Sequence, residues 1–66
     1  MQVTVNGRPT DLEPGTTMPA LIQGLGLVVG SVVVEHNGTA LLRSEVAAES
    51  LSDGDVVELV RAVAGG

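Results

Sequence analysis

The residues of this 66-residue chain best suited to chemistry are its last four, Val63-Ala64-Gly65-Gly66, acting through a carboxylate at Gly66. Two consecutive glycines carry no side chains and reach almost any backbone conformation. Such a tip can thread a narrow channel and deliver its α-carboxylate to the active site of another protein. The run Val56-Val57-Glu58-Leu59-Val60-Arg61-Ala62 comes directly before it and reads as a strand. A strand leading straight into Ala-Gly-Gly is a rigid stem with a thin, flexible tip. The same four residues also read as a frayed end, because chain termini commonly carry no work. Gly-Gly is only a dipeptide, and the rest of the chain has to choose between the two.

The other polar residues offer no catalytic set. A serine nucleophile needs a positioned base, and the one histidine, His36, lies beside a hairpin signal, where it reads as a satisfied or solvent-facing strand-end residue. Asp53 and Asp55 form a carboxylate pair, but two carboxylates without further oxygen ligands make a poor hard-cation site. They read as a solvated turn, and Glu45, Glu49 and Glu58 as surface charge. No metal site and no cofactor bound by this chain are expected.

Composition narrows the functional classes further. Sixty-six residues make one small domain, spanning 1–66, with its flexible tail at 63–66. A domain of this size buries only about 60% of the surface its unfolded chain exposes. There is no cysteine and no aromatic residue, so the core must come from twelve Val, eight Leu, one Ile, two Met and some of the six Ala. Eight acids against three arginines, without lysine, give a net charge of −5. Nucleic-acid binding needs clustered cations, and stacking on single strands needs aromatic rings. Anionic membrane surfaces are disfavoured for the same electrostatic reason. No apolar run approaches the roughly 20 residues of a membrane span, and the N-terminus has no basic leader region. The expected location is cytoplasmic. An acidic domain is drawn instead to a basic patch on a protein partner.

The tail needs a scaffold, and the chain supplies one element at a time. Met1 to Val5 alternates apolar and polar residues, the period of a half-buried strand. Asn6-Gly7 is a hairpin signal, because both central residues of a type I′ turn need positive φ. The return strand, Arg8 to Glu13, carries Pro9, which lacks a ladder donor and belongs at a sheet edge. Met18, Leu21, Ile22 and Leu25 then fall on one helical stripe, with Thr17 as N-cap, Pro19 in the first turn and Gly26 at the C′ position. Ser31 to His36 reads as a third strand, Asn37-Gly38 as a second hairpin turn, and Thr39 to Leu42 as a fourth strand. Arg43 to Ser50 predicts a short turn of helix or an irregular crossing. Leu51 plugs the core, and Asp53-Gly54-Asp55 turns the chain into the last strand, Val56 to Ala62.

A crossover connection makes the pairing of first and last strands parallel. The expected architecture is α+β: a ubiquitin-like β-grasp, with a mixed sheet of about five strands and one helix packed across one face. Such a sheet leaves apolar surface on its other face, and exposed apolar patches mark partner sites. Val60, Ala62 and Glu58 are the candidate interface, weighed evenly against scattered surface apolarity.

At this point the residues resemble a family. Met1-Gln2-Val3-Thr4-Val5-Asn6-Gly7, Pro14-Gly15-Thr16-Thr17, Val33-Val34-Glu35-His36-Asn37-Gly38, Arg43-Ser44-Glu45, Leu51 to Glu58 and the final Ala64-Gly65-Gly66 stand in the order and spacing of the sulfur carrier proteins of thiamine biosynthesis, the ThiS family. The resemblance runs nearly the full length. Leu42 departs from a usual proline, Val46 from a common tryptophan and His36 from an aliphatic residue. None of these touches the tail.

The resemblance implies that a ThiF-type adenylyltransferase, using ATP and magnesium, adenylates the Gly66 carboxylate. A sulfur donor, usually a persulfide, then converts it to a thiocarboxylate, and thiazole synthase uses that sulfur as a nucleophile. By this account the chain is a co-substrate and not an enzyme, and Val63, Ala64, Gly65 and Gly66 enter partner active sites. Three other readings share the architecture: the sulfur-carrier subunit of molybdopterin synthase, usually longer and richer in aromatics; a ubiquitin-like modifier; and a noncatalytic interaction module. Removing Gly66 separates the carriers and modifiers, which lose activity, from the module, which keeps its binding.

Overall fold

The structure, a computed structural model, describes residues 1–61. The expected tip, Val63 to Gly66, and the interface candidate Ala62 lie outside the described residues.

Five strands form one mixed sheet: β1 (Gln2–Val5), β2 (Arg8–Asp11), β3 (Val32–His36), β4 (Thr39–Ala40) and β5 (Val56–Arg61), in the spatial order β2-β1-β5-β3-β4. The two Asn-Gly hairpins are antiparallel, and β1 and β5 pair in parallel, as the β-grasp expectation requires. Asn6 and Asn37 adopt φ of 49° and 52°, with the following glycines also positive, the backbone that a two-residue hairpin turn demands. Pro9 sits on β2 at the sheet edge.

Helix α1 (Met18–Gly24) starts at Thr17, whose hydroxyl accepts from the Ala20 N–H, and Gly26 takes φ of 77° just past its end. It buries Met18, Leu21 and Ile22 against the sheet. Leu25, expected on the same stripe, is the C-cap residue just past the last helical position and is 48% exposed. The segment Arg43 to Ser50 resolves into a true second helix, α2 (Arg43–Ala48), so one short helix joins the main one. Leu42 has no side-chain acceptor to cap it. Instead the Glu45 carboxylate reaches back 2.7 Å to the Leu42 N–H, which corrects the reading of Glu45 as plain surface charge.

Several boundaries move inward. β2 stops at Asp11, short of Glu13, whose carbonyl accepts from both the N–H and the hydroxyl of Thr16. A 3₁₀ turn over Val29–Ser31 delays β3 to Val32, and β4 ends at Ala40 instead of Leu42. The core is aliphatic throughout: Val3, Val5, Val34, Val57 and Leu59 from the sheet, Met18, Leu21 and Ile22 from α1, Val46 from α2, and Leu51 as the plug between α2 and β5. No helix among the described residues is long and apolar enough to cross a membrane.

Candidate functional site

The last strand, β5, is the centre of the sheet. β3 pairs with it over five positions, from His36 opposite Val57 to Val32 opposite Arg61. On its other side β1 is shorter, ending at Val5 opposite Val57. Past that point the side chain of Asn6 takes over the ladder. Its Oδ1 accepts from the Leu59 N–H at 2.7 Å, and its Nδ2 donates to the Leu59 carbonyl at 3.3 Å. Asn37 does the same from the opposite flank, accepting from the Val56 N–H at 2.8 Å while its own N–H donates to the Val56 carbonyl. The two turn asparagines therefore bracket the start and the middle of β5 with hydrogen bonds that a backbone strand would otherwise supply. Buried backbone groups need such partners, and here they fix the stem in register.

Alternation sends Val57 and Leu59 into the core and turns Val56, Glu58 and Val60 to the open face. Two of the sequence-predicted interface residues, Glu58 and Val60, therefore do share a face, and Val60 is 58% exposed. Register adds residues that the sequence reading had treated only as strand. Val33, half-exposed, lies directly across from Val60, and Glu35 directly across from Glu58. The face carries an apolar pair beside a carboxylate pair. Like charges placed directly opposite on a sheet oppose each other, so a cation arriving from outside is favoured here. The signal was available in the shared parity of Val33 and Glu35, but the register that aligns them with β5 was not.

His36 is held by two carboxylates. Its Nε2 lies 2.7 Å from Asp55 Oδ2, and its Nδ1 lies 3.4 Å from Glu49 Oε2. Asp55 in turn accepts from the Ser52 N–H at 2.8 Å and from Asn37 Nδ2 at 3.1 Å. The solvated-turn reading of Asp53 and Asp55 is thereby corrected: Asp55 is the hub of a part-buried network, and Asp53 accepts from the Gln2 N–H at 2.7 Å. Glu49, also read as plain surface charge, is the third member of the cluster. Both ring nitrogens face carboxylates, so the cluster clamps α2 and the start of β5 to the β3–β4 hairpin.

Burial pulls the His36 pKa down, but the hydrogen bonds and charges of Asp55 and Glu49 outweigh it and leave the net shift upward. For Asp55, burial pushes up, and the bonds from His36, Ser52 and Asn37 bring it below the ordinary value. The stabilisation from His36 is therefore complete below its unfolded pKa of about 6.5 and lost as pH rises through the raised folded value. That from Asp55 is present above about 4 and lost as pH falls through the lowered value. The stability of the wild type to heat should fall between mildly acidic and mildly alkaline pH, as the proton leaves His36. His36→Gln should remove that slope, and parallel melting curves for the two proteins would refute the clamp.

The comparisons with known proteins fall on this framework. The ThiS family profile matches residues 3–66. A sulfur carrier protein ThiS of Thermus thermophilus is 41% identical over 64 residues, covering 97% of this chain and 98% of that protein. A thiazole synthase of Magnetococcus marinus is 36% identical over all 66 residues, but the chain spans only 20% of its length. A second, from Paramagnetospirillum magneticum, is 32% identical with the same coverage, 100% of this chain and 20% of that protein. The crystal structure of a thiamine biosynthesis protein (ThiS) from Geobacter metallireducens superposes with a TM-score of 0.82 at 33% identity, over the full length of both chains. A central parallel-paired strand leading to Gly-Gly, on this sheet and with these relatives, places the chain in the ThiS family.

Proposed function

We propose that this chain is a sulfur carrier of thiamine biosynthesis, with Gly66 as the residue that is activated and loaded. The observation that carries the proposal is the strand β5, anchored on both flanks and leading directly to Val63-Ala64-Gly65-Gly66, in a chain whose family and nearly full-length relative are carriers. A carboxylate is a poor electrophile. In this reading a ThiF-type adenylyltransferase uses ATP and magnesium to form the acyl-adenylate at Gly66, with pyrophosphate leaving. A persulfide sulfur then attacks the acyl carbon and AMP departs. Cleavage of the remaining S–S bond by a thiol leaves the thiocarboxylate. The chain supplies the electrophile and its positioning, while the partners supply the catalytic groups, ATP and magnesium. ATP-dependent activation fits a cytoplasmic site.

Thiazole synthase is the proposed acceptor of the sulfur. Its support is that two relatives bearing that name include a stretch similar to this whole chain. The proposed docking face joins Val60 and Glu58 with Val33 and Glu35. Val60→Asp is expected to weaken binding to thiazole synthase by about tenfold or more, as loss of a central apolar contact does, while melting changes by only about 0.5 kcal/mol. Raising ionic strength should weaken the same complex through Glu35 and Glu58; affinity indifferent to salt would remove the electrostatic part.

The decisive test is intact mass of the protein from its native cell, and then of protein incubated with the adenylating enzyme, ATP and a sulfur source. A species heavier by one oxygen-to-sulfur exchange, localised to Gly66, is the expected result. Continued absence of that species in the reconstituted mixture would turn the reading toward an interaction module.

A further inference from the structure

The charges of this chain are sorted along the axis of β5. At the foot of that strand, Asp55 and Glu49 hold His36, which stands across from Val57. Asp53 accepts from the Gln2 N–H, and Asp11 stands across from Gln2. Glu35 and Glu58 stand opposite each other midway up, on the open side. The far end of the strand is cationic. β5 finishes at Arg61, which is exposed and lies across from Val32. The turn leading into Val32 carries the second cation, because the Arg43 guanidinium lies over Gly30. Its Nη2 donates to the Gly30 carbonyl at 3.2 Å, and its central carbon is 3.7 Å from where a Cβ on Gly30 would stand.

Two of the three arginines in a chain with eight acids thus share the end where β5 runs out. Among the described residues ion pairs form only at His36, so no carboxylate there neutralises either guanidinium. Glu45, close to Arg43 in sequence, is turned back onto the Leu42 N–H. Arg43 is held on Gly30 as a fixed fork, with further N–H groups left to donate.

Distance decides what these cations can touch. Gly66 is five residues beyond Arg61, about 17 Å of fully extended chain. A tail threaded into a channel therefore carries its reacting carboxylate, and any nucleotide phosphate beside it, beyond the reach of the two arginines. What they meet is the protein surface around the mouth of the channel.

We propose that Arg43 and Arg61 dock on carboxylates at the mouth of the channel through which the adenylating enzyme admits the tail. The open face offers acids and the end of β5 offers cations. A partner with basic ground beneath the sheet and an acidic rim at its channel then fits in one orientation, tail first. Charge complementarity of this kind fixes register and speeds encounter, and a guanidinium takes a carboxylate in bidentate fashion. The inference rests on the carrier reading, because it takes the tail as the part that enters the partner.

The test is carrier-dependent ATP–pyrophosphate exchange by the adenylating enzyme of the same cell, with the full chain as substrate. Arg61→Glu and Arg43→Glu should each raise the KM for the carrier about tenfold or more, with kcat within about twofold of the wild type. Combining Arg43→Gln with Arg61→Gln should reduce the dependence of KM on ionic strength, which a merely structural role would leave alone. An unchanged KM in both charge reversals, or a loss confined to kcat, overturns the docking proposal and leaves the carrier reading standing. A wild-type chain that supports no exchange overturns the carrier reading, and the docking proposal falls with it.

Discussion

Deleting Gly66 is expected to reduce thiocarboxylate formation by at least about 10²-fold in a mixture of adenylating enzyme, ATP, magnesium and sulfur donor, with no change in the melting transition. The size of the effect follows from the stem. One residue of extended chain spans about 3.3–3.6 Å, and reacting atoms must approach within about 3–3.5 Å, with a 1 Å misplacement costing about 10²-fold. A carboxylate on Gly65 would fall short by one full residue. The chain cannot recover that distance by sliding, because five register pairs to β3 and two turn asparagines hold β5 in place. A slip of one residue would also turn Val57 and Leu59 out of the core. Among the described residues every core residue lies at or before Leu59, so none of that packing rests on Gly66. Adding one glycine after Gly66 should impair loading too, though less, since a longer tip can bend back. Intact mass after a timed reaction checks both variants, and efficient loading of the truncated chain would mean that Gly66 is not the acyl donor.

The framework of this molecule was legible because its signals are local. Two Asn-Gly turns, one apolar helical stripe opened by Thr17, and alternating valines each declare themselves within a few residues, and together they dictate the hairpin–helix–hairpin order. The parallel pairing of β1 with β5 followed from connectivity alone. What escaped the sequence depends on residues brought together across the chain. Asn6 was read for its backbone angle, yet its amide completes the ladder of a strand 53 positions away. Asp55 was read as a turn residue, although its carboxylate gathers His36, Asn37 and the Ser52 N–H. Glu49 reaches His36 only because α2 forms, and a six-residue segment without a clean apolar period left a short helix and an irregular crossing equally open. On the candidate interface, parity alone puts Glu58 and Val60 on one face, while Val33 and Glu35 needed the antiparallel register to join them.

Asn6→Ala is expected to cost about 2–4 kcal/mol, the largest stability loss among polar substitutions in the stem's surroundings. Alanine at φ of 49° pays about 1 kcal/mol for the left-handed backbone. Two hydrogen bonds to Leu59 are lost as well, at about 0.5–1.5 kcal/mol each, with the N–H and carbonyl of a core residue left unpaired. A 66-residue domain at about 0.05–0.15 kcal/mol per residue has roughly 3–10 kcal/mol in total. The single change therefore consumes a large share of the stability. A short series separates its two causes. Asn6→Gly relieves the backbone but keeps neither side-chain bond, and Asn6→Asp tolerates the turn while keeping the acceptor for the Leu59 N–H. The expected order of stability is wild type, then Asp, then Gly, then Ala, measured by urea denaturation. If Gly matches the wild type, the side chain contributes nothing and the turn alone matters. Amide exchange adds the functional link: the Leu59 N–H should open faster in the Ala and Gly variants than in the wild type, while amides of α1 change only as far as global stability falls. A stem that opens locally presents its tip over a wider range of positions, so sulfur loading should decline in both variants even at temperatures where they remain folded.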